Sequence, residues 1–136
     1  MKVLVATDGS RHSMKAVQRA LEMAEKQDAQ VTLMAVSYFT GDFDDMPPYV
    51  REKLEAEARE NLQKARAIFD QKKVSVKVIL ESGLVPANNI IRRAEDDKFD
   101  RIILGSTGMS ALDRVLMGST AAKVVAHAPC EVTVVR

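Results

Sequence analysis

The chain has 136 residues, of which 46% are apolar, and its 20 basic and 19 acidic residues give a formal net charge of +1. This length and composition predict one folded domain over residues 1–136 and exclude a disordered chain. The balanced charge excludes nonspecific binding of nucleic acid or of an anionic membrane surface, and no apolar run reaches the roughly 18 residues of a membrane span.

Strand and helix patterns alternate along the chain. Continuous or alternating apolar runs predict strands at residues 3–6, 31–36, 74–80, 99–104 and 131–135. Apolar residues spaced three and four apart predict helices at residues 14–28 and 49–71, from Pro86 onward, and at residues 118–127. A turn is expected at residues 7–10, a loop at residues 37–48, and a break at Gly83.

Five strands with four intervening helices predict an α/β fold, a single doubly wound parallel sheet with helices on both faces. The reason is that parallel strands need right-handed crossovers. The strand at residues 74–80 alternates with polar residues, which is typical of an edge strand. Ligands bind such sheets beyond the carboxyl ends of the strands, where the strand order reverses. Strands one and four are the natural neighbours there, and their exits carry Asp8 and Gly105.

The residues after the fourth strand form the pattern that points most clearly to a ligand. They include Gly105, Gly108 and Gly118, followed by Ser119 and Thr120 at the start of a helix. Glycine lets the backbone approach a ligand and tolerates φ > 0, which we expect the turn at Gly118 to use. The N–H groups of the first helical turn would then face an anion. Alternatively, these are turn glycines, and Ser119 or Thr120 is a helix cap.

Other polar residues have plain structural alternatives. Asp8 precedes Gly9 and Ser10, so it is either a ligand-binding residue or an N-cap or Asx-turn residue. His12 and His127 are not spaced like a catalytic triad or a metal site, and we expect both at the surface. The single cysteine, Cys130, cannot form a disulfide within the chain and is expected to be a small buried hydrophobe. It fits the reducing cytoplasm.

Over its whole length the chain resembles the universal stress protein family. The nucleotide-binding members carry Gly, two residues, Gly, nine residues, Gly and then Ser or Thr, which this sequence matches from Gly105 to Ser119. Residues 3–10, 99–104 and 127–136 resemble the family's flanking segments. The resemblance implies the strand order 3-2-1-4-5 and an ATP site across strands one and four.

The resemblance also implies which residues contact the nucleoside. Asp8 would hold the ribose hydroxyls, and Gly105 would approach the ribose. Ala6 and Thr7 would line the base, and Val36 would meet adenine through its backbone.

For the phosphates, the residues implied by the resemblance are Gly108, Gly118, Ser119 and Thr120. They would bind together with Mg²⁺, which phosphate oxygens and water would largely ligate. No catalytic residue and no metal-ligating side chain is predicted.

These features favour an ATP-binding regulatory protein whose conformation or partner binding depends on the nucleotide. The resemblance implies a homodimer in which the strand at residues 131–135 pairs with its copy, and the apolar composition of this strand, without lysine or proline inside it, suits that pairing. A slow ATPase or phosphotransfer enzyme remains an alternative, although no Gly-x4-Gly-Lys loop is present. A nucleotide-free dimeric scaffold is the third possibility, and the intact glycine motif argues against it.

Overall fold

The computed structural model describes residues 1–38, 46–107 and 117–136. Within these ranges the strands are β1 (Lys2–Ala6), β2 (Gln30–Tyr38), β3 (Lys77–Gly83), β4 (Arg101–Gly105) and β5 (Glu131–Val135). The helices are α1 (Arg11–Gln27), α2 (Pro48–Gln71), α3 (Pro86–Asp96) and α4 (Ser119–His127). None of these helices is both long enough and apolar enough to cross a membrane.

The five strands form one parallel sheet in the order β3-β2-β1-β4-β5. This confirms the doubly wound α/β prediction, the position of β3 at an edge, and the pairing of strands one and four. In the register, Ala6 of β1 lies opposite Met34 of β2, and Val5 lies opposite Ile103 of β4.

The core has two parts, one on each face of the sheet. Successive residues of β1 point to opposite faces, so Val3 and Val5 contribute to one part and Leu4 to the other. Helices α1 and α2 cover the first face, where Phe69 is fully buried. Helices α3 and α4 cover the second, where Val124 is fully buried. Burial of this apolar surface is the main driving force that holds the helices on the sheet.

Several predicted boundaries are wrong by a few residues. Ser37 and Tyr38 do not belong to the expected loop, because they continue β2 and pair with Ser82 and Gly83 of β3. β3 itself begins at Lys77 rather than at residue 74 and includes the expected break at Gly83. A Cβ at position 83 would lie 2.2 Å from Oδ1 of Asn89, so close approach by that side chain, rather than a turn, explains the glycine.

Candidate functional site

The carboxyl ends of β1 and β4 lie side by side at the point where the strand order reverses. From β1 the chain continues to β2 and β3 on one side, whereas β4 and β5 lie on the other. Gly118, at the start of α4, is tied to the end of β4 by its N–H, which donates to the Ser106 carbonyl at 2.6 Å. The fold thus brings the Asp8 turn and the start of α4 to the same edge of the sheet. Of the predicted site residues, Gly108 lies outside the described residues.

The turn after β1 is held by local hydrogen bonds that leave Asp8 exposed. Oδ1 of Asp8 accepts from the Ser10 N–H at 2.9 Å, which makes an Asx turn. Ser10, not Asp8, is the N-cap of α1, since its hydroxyl accepts from the Ser13 N–H at 3.3 Å. The N-cap alternative for Asp8 is therefore wrong, and the Asx turn is present. Gly9 adopts a φ of +82°, which favours glycine at this position.

The Thr7 side chain supports this turn from inside the protein. Thr7 is only 5% exposed. Its hydroxyl oxygen lies 3.1 Å from the Ser13 hydroxyl and accepts a hydrogen bond from the Gly9 N–H at 3.2 Å. Its own N–H donates to the Met34 carbonyl at 2.9 Å. Any contact of Thr7 with a ligand would therefore come from its main-chain carbonyl.

β2 extends past the end of β1 and presents main-chain groups to the site. The Thr7 N–H bonds the Met34 carbonyl, so the polar main-chain groups of Met34 face β1. Because these groups alternate sides along a strand, the N–H and C=O of Val36 point to the same side as those of Met34. β1 ends at Ala6, opposite Met34, so no residue of β1 lies opposite Val36, whereas β2 remains paired with β3 up to Tyr38. Val36 thus directs one donor and one acceptor towards the crevice.

Gly105 has a structural reason to be glycine that needs no ligand. A Cβ at this position would lie 2.7 Å from the His12 carbonyl carbon and 2.7 Å from the Ser13 nitrogen. These are backbone atoms of α1, so the strand and the first turn of the helix approach too closely for any side chain between them. The identity of Gly105 alone is consequently no argument for a bound ribose.

The start of α4 differs from the expectation at two points. Gly118 is the N-cap with a φ of −74° and a ψ of 170°, so the expected positive φ is wrong. Ser119 and Thr120 are the first residues of the helix rather than its cap, so the capping alternative for them is also wrong. Because Gly118 has no side chain, the N-cap residue leaves the N–H groups of the first turn without a side-chain cap. Such N–H groups, together with the helix dipole, attract anions.

Two residues near the site carry contacts that the sequence pattern does not predict. His12, expected at the surface, is half-buried, and its Nδ1 lies 2.8 Å from the Thr107 hydroxyl at the exit of β4. Asn61 of α2 donates from Nδ2 to the Asp8 carbonyl at 2.9 Å. Both contacts join segments far apart in the chain, so no local pattern could have shown them.

No group of three or more His, Cys, Asp or Glu side chains within the described ranges is arranged to hold a metal ion. The site instead offers a carboxylate at Asp8, main-chain groups at Val36, and the N–H groups of α4. A carboxylate and a donor–acceptor pair suit a nucleoside, and the helix start suits a phosphate.

A family model described as the Universal stress protein family matches residues 1–136. The chain belongs to the universal stress protein family.

Relatives of this universal stress protein share both sequence and fold. It is 35% identical to universal stress protein MJ0531 of Methanocaldococcus jannaschii, with 99% of this chain and 81% of that protein covered. It is 30% identical to the solved structure of universal stress protein UspA from Lactobacillus plantarum, with a TM-score of 0.86 and coverages of 100% and 97%.

A more distant relative was solved with a ligand. The universal stress protein from Archaeoglobus fulgidus, in complex with dAMP, is 22% identical, with a TM-score of 0.75 and coverages of 100% and 98%. At this identity the likeness is one of fold.

Proposed function

We propose that this universal stress protein binds ATP with Mg²⁺ across the ends of β1 and β4, and that occupancy controls its conformation or its choice of a regulatory protein partner. One observation carries the proposal: an exposed carboxylate at Asp8 and an α4 start without a side-chain cap lie at the same edge of the sheet. This is the edge at which parallel α/β sheets bind ligands.

The base would be recognised by main-chain groups. The Watson–Crick edge of adenine offers the N1 acceptor and the N6 amino donor, which complement an N–H and a C=O of Val36. Ala6 has a small side chain, half-buried at the end of β1, so it leaves room for a flat ring. Thr7 would contribute its carbonyl, because its hydroxyl is already engaged.

The ribose would be bound by the Asp8 carboxylate. A carboxylate accepts several hydrogen bonds, and the Asx turn uses one at Oδ1. The ribose hydroxyls would therefore bind the exposed carboxylate without breaking the turn. In this proposal Gly105 lies beside the ribose, in addition to its packing against α1.

The phosphates would lie at the start of α4. The N–H groups of its first turn and the hydroxyls of Ser119 and Thr120 are suitable donors, with Gly108 and Gly118 allowing close approach. Mg²⁺ would be ligated by phosphate oxygens and water, which suits the lack of a carboxylate cluster among the described residues. The dAMP complex of the Archaeoglobus fulgidus relative supports an adenine nucleotide in this fold.

The proposal is tested by identifying the nucleotide released when the purified protein is denatured, then titrating the protein with ATP and Mg²⁺ by calorimetry. Replacing Asp8 with Ala removes a charged hydrogen bond of about 1.5–3 kcal/mol, so ATP affinity should fall roughly tenfold to a hundredfold. Asp96→Ala, at an exposed position of α3, is the matched control and should not change the affinity. Unchanged affinity in folded Asp8→Ala protein would contradict the ribose assignment. Following ADP formation over hours tests the alternative of a slow ATPase.

The proposal includes a cytoplasmic homodimer formed by antiparallel pairing of β5 with its copy. β5 pairs with β4 on one side, lies at an edge of the sheet, and exposes part of its apolar residues. Light scattering should give about twice the chain mass of 15.0 kDa. Val134→Pro should shift the protein to monomers. Main-chain groups alternate sides along a strand and those of Val135 bond β4, so the Val134 N–H faces the free edge, and proline removes it while keeping an apolar side chain against the core. A monomer mass for the unmodified protein would refute the dimer.

A further inference from the structure

The middle of α2 reaches the turn that carries Asp8. α2 is anchored in the core by the buried side chains of Ala58, Leu62, Ala65 and Phe69. Asn61 lies beside this apolar stripe and is half-buried. Its Nδ2 donates to the Asp8 carbonyl at 2.9 Å, across 53 residues of sequence. A polar side chain from a helix in the core therefore bonds the turn directly.

Asn61 also packs against Gly9, the next residue of the turn. A Cβ at position 9 would lie 2.4 Å from Oδ1 and 2.7 Å from Cγ of Asn61. Gly9 also has a φ of +82°, a backbone conformation that favours glycine, and the Asn61 amide fills the space that a Cβ would need. The Asn61 side chain thus contacts the turn at two successive residues.

These contacts set where the Asp8 carboxylate lies relative to the sheet. Within the turn, the bond from the Ser10 N–H to Oδ1 orients the carboxylate. The turn as a whole is held at its start by β1 and at its end by the cap of α1. Its middle, the Asp8–Gly9 peptide, is held by Asn61.

We propose that Asn61 is a positioning residue that fixes the Asp8 carboxylate for ribose recognition. This rests on the proposed function, because it assigns Asn61 a role in the same site. Recognition of two ribose hydroxyls depends on where the carboxylate oxygens lie, and displacements near 1 Å have large effects on such contacts. Loss of the Asn61 bond lets the turn shift and weakens the ribose contact without touching the base or phosphate contacts.

The test compares ATP with 2′,3′-dideoxy-ATP, which lacks the ribose hydroxyls, by calorimetry on unmodified and variant protein. In Asn61→Ala, ATP affinity should fall about threefold to tenfold, the range for loss of one neutral hydrogen bond, whereas dideoxy-ATP affinity should not change. Gln63→Ala, at an exposed position two residues further along α2, is the control and should leave both affinities unchanged. Asn61→Leu keeps most of the side-chain volume against Gly9, and it should behave like Asn61→Ala.

Each other outcome overturns the inference at an identifiable step. An equal loss for both ligands, or a lowered melting temperature with an unchanged ratio of the two affinities, would show that Asn61 only stabilises the fold. A ratio of the two affinities in folded Asn61→Leu that equals that of the unmodified protein refutes the role of Asn61 while leaving the ATP proposal intact. If the unmodified protein binds both ligands equally, the ribose role of Asp8 fails, and the inference fails with it. If it binds neither, the proposed function itself is wrong.

Discussion

Replacing Gly105 with Ala tests the close approach of α1 to the end of β4. The added Cβ would lie 2.7 Å from both the His12 carbonyl carbon and the Ser13 nitrogen, whereas carbon atoms pack best at about 3.5–4.0 Å. Backbone atoms cannot rotate away as a side chain can, so α1 would have to move from β4. α1 resists this movement because Ala16 and Val17 are fully buried in the core beneath it.

The expected cost is near the upper end of the range for overpacking, about 3 kcal/mol. The change from Gly to Ala also restricts the unfolded chain, which stabilises the folded protein by about 0.4–1 kcal/mol. A net loss of about 2 kcal/mol in the free energy of unfolding is therefore expected.

Urea unfolding followed by circular dichroism measures this loss. With a slope of about 2 kcal/mol per molar urea, the midpoint should fall by roughly 1 M. Gly118→Ala makes the same chemical change at a φ of −74°, which any residue adopts. Alanine is a poorer N-cap than glycine, which offsets the same restriction of the unfolded chain, so the free energy of unfolding should change by less than about 0.5 kcal/mol. Equal midpoints for the two variants would refute the view that the approach of α1 requires glycine at position 105.

Three further predictions concern the phosphate site, an ion pair and the thiol. Gly118→Val should abolish ATP binding, because the branched side chain blocks the start of α4. Ser119→Ala should weaken the free energy of ATP binding, measured by calorimetry, by only about 0.5–1.5 kcal/mol. Equal effects of the two changes would contradict this prediction. Arg93→Ala should lower the free energy of unfolding by about 1–2 kcal/mol, because Oε2 of Glu81 loses its hydrogen bonds from Nε and Nη2 of Arg93, at 2.8 and 2.6 Å. Breaking an exposed ion pair on α2 should cost under about 0.5 kcal/mol in the same urea titration. Burial raises the pKa of the Cys130 thiol, so at pH 8 the folded protein should react more slowly with a disulfide reagent than the unfolded chain. For the same reason, the free energy of unfolding should fall as the pH rises above the ordinary pKa of a thiol. Equal reaction rates would show that the thiol is not protected.

The strands and helices, and their order along the chain, could be predicted because each depends on local patterns. The apolar run at residues 3–6 and the spacing of apolar residues along α2 show strand and helix without any tertiary information. The end of β2 could not be predicted in this way. Ser37 begins a stretch rich in turn formers, and only its pairing with Ser82 of β3 makes it part of a strand.

The residues proposed for the site could be selected from the sequence, but the contacts that support them could not. Asp8 and the glycines are residues that strand and helix packing does not explain, but the sequence gives no reason to assign Gly105 and Gly118 different roles. The structure separates them, since one is pressed against α1 and the other has an ordinary extended conformation. The bond between His12 and Thr107 spans 95 residues, so it depends on the packing of α1 on β4 and leaves no local pattern.

The difference in length between β1 and β2 has a consequence for how base preference would be inherited. Under the proposed function, the groups that distinguish adenine from guanine belong to the main chain of Val36, and every residue except proline carries the same pair. Substitutions at position 36 could then accumulate during evolution without changing the preferred base. Selectivity would be encoded in the extent of β2 beyond Ala6, so insertions or deletions in the strand, rather than exchanges of side chains, would alter it.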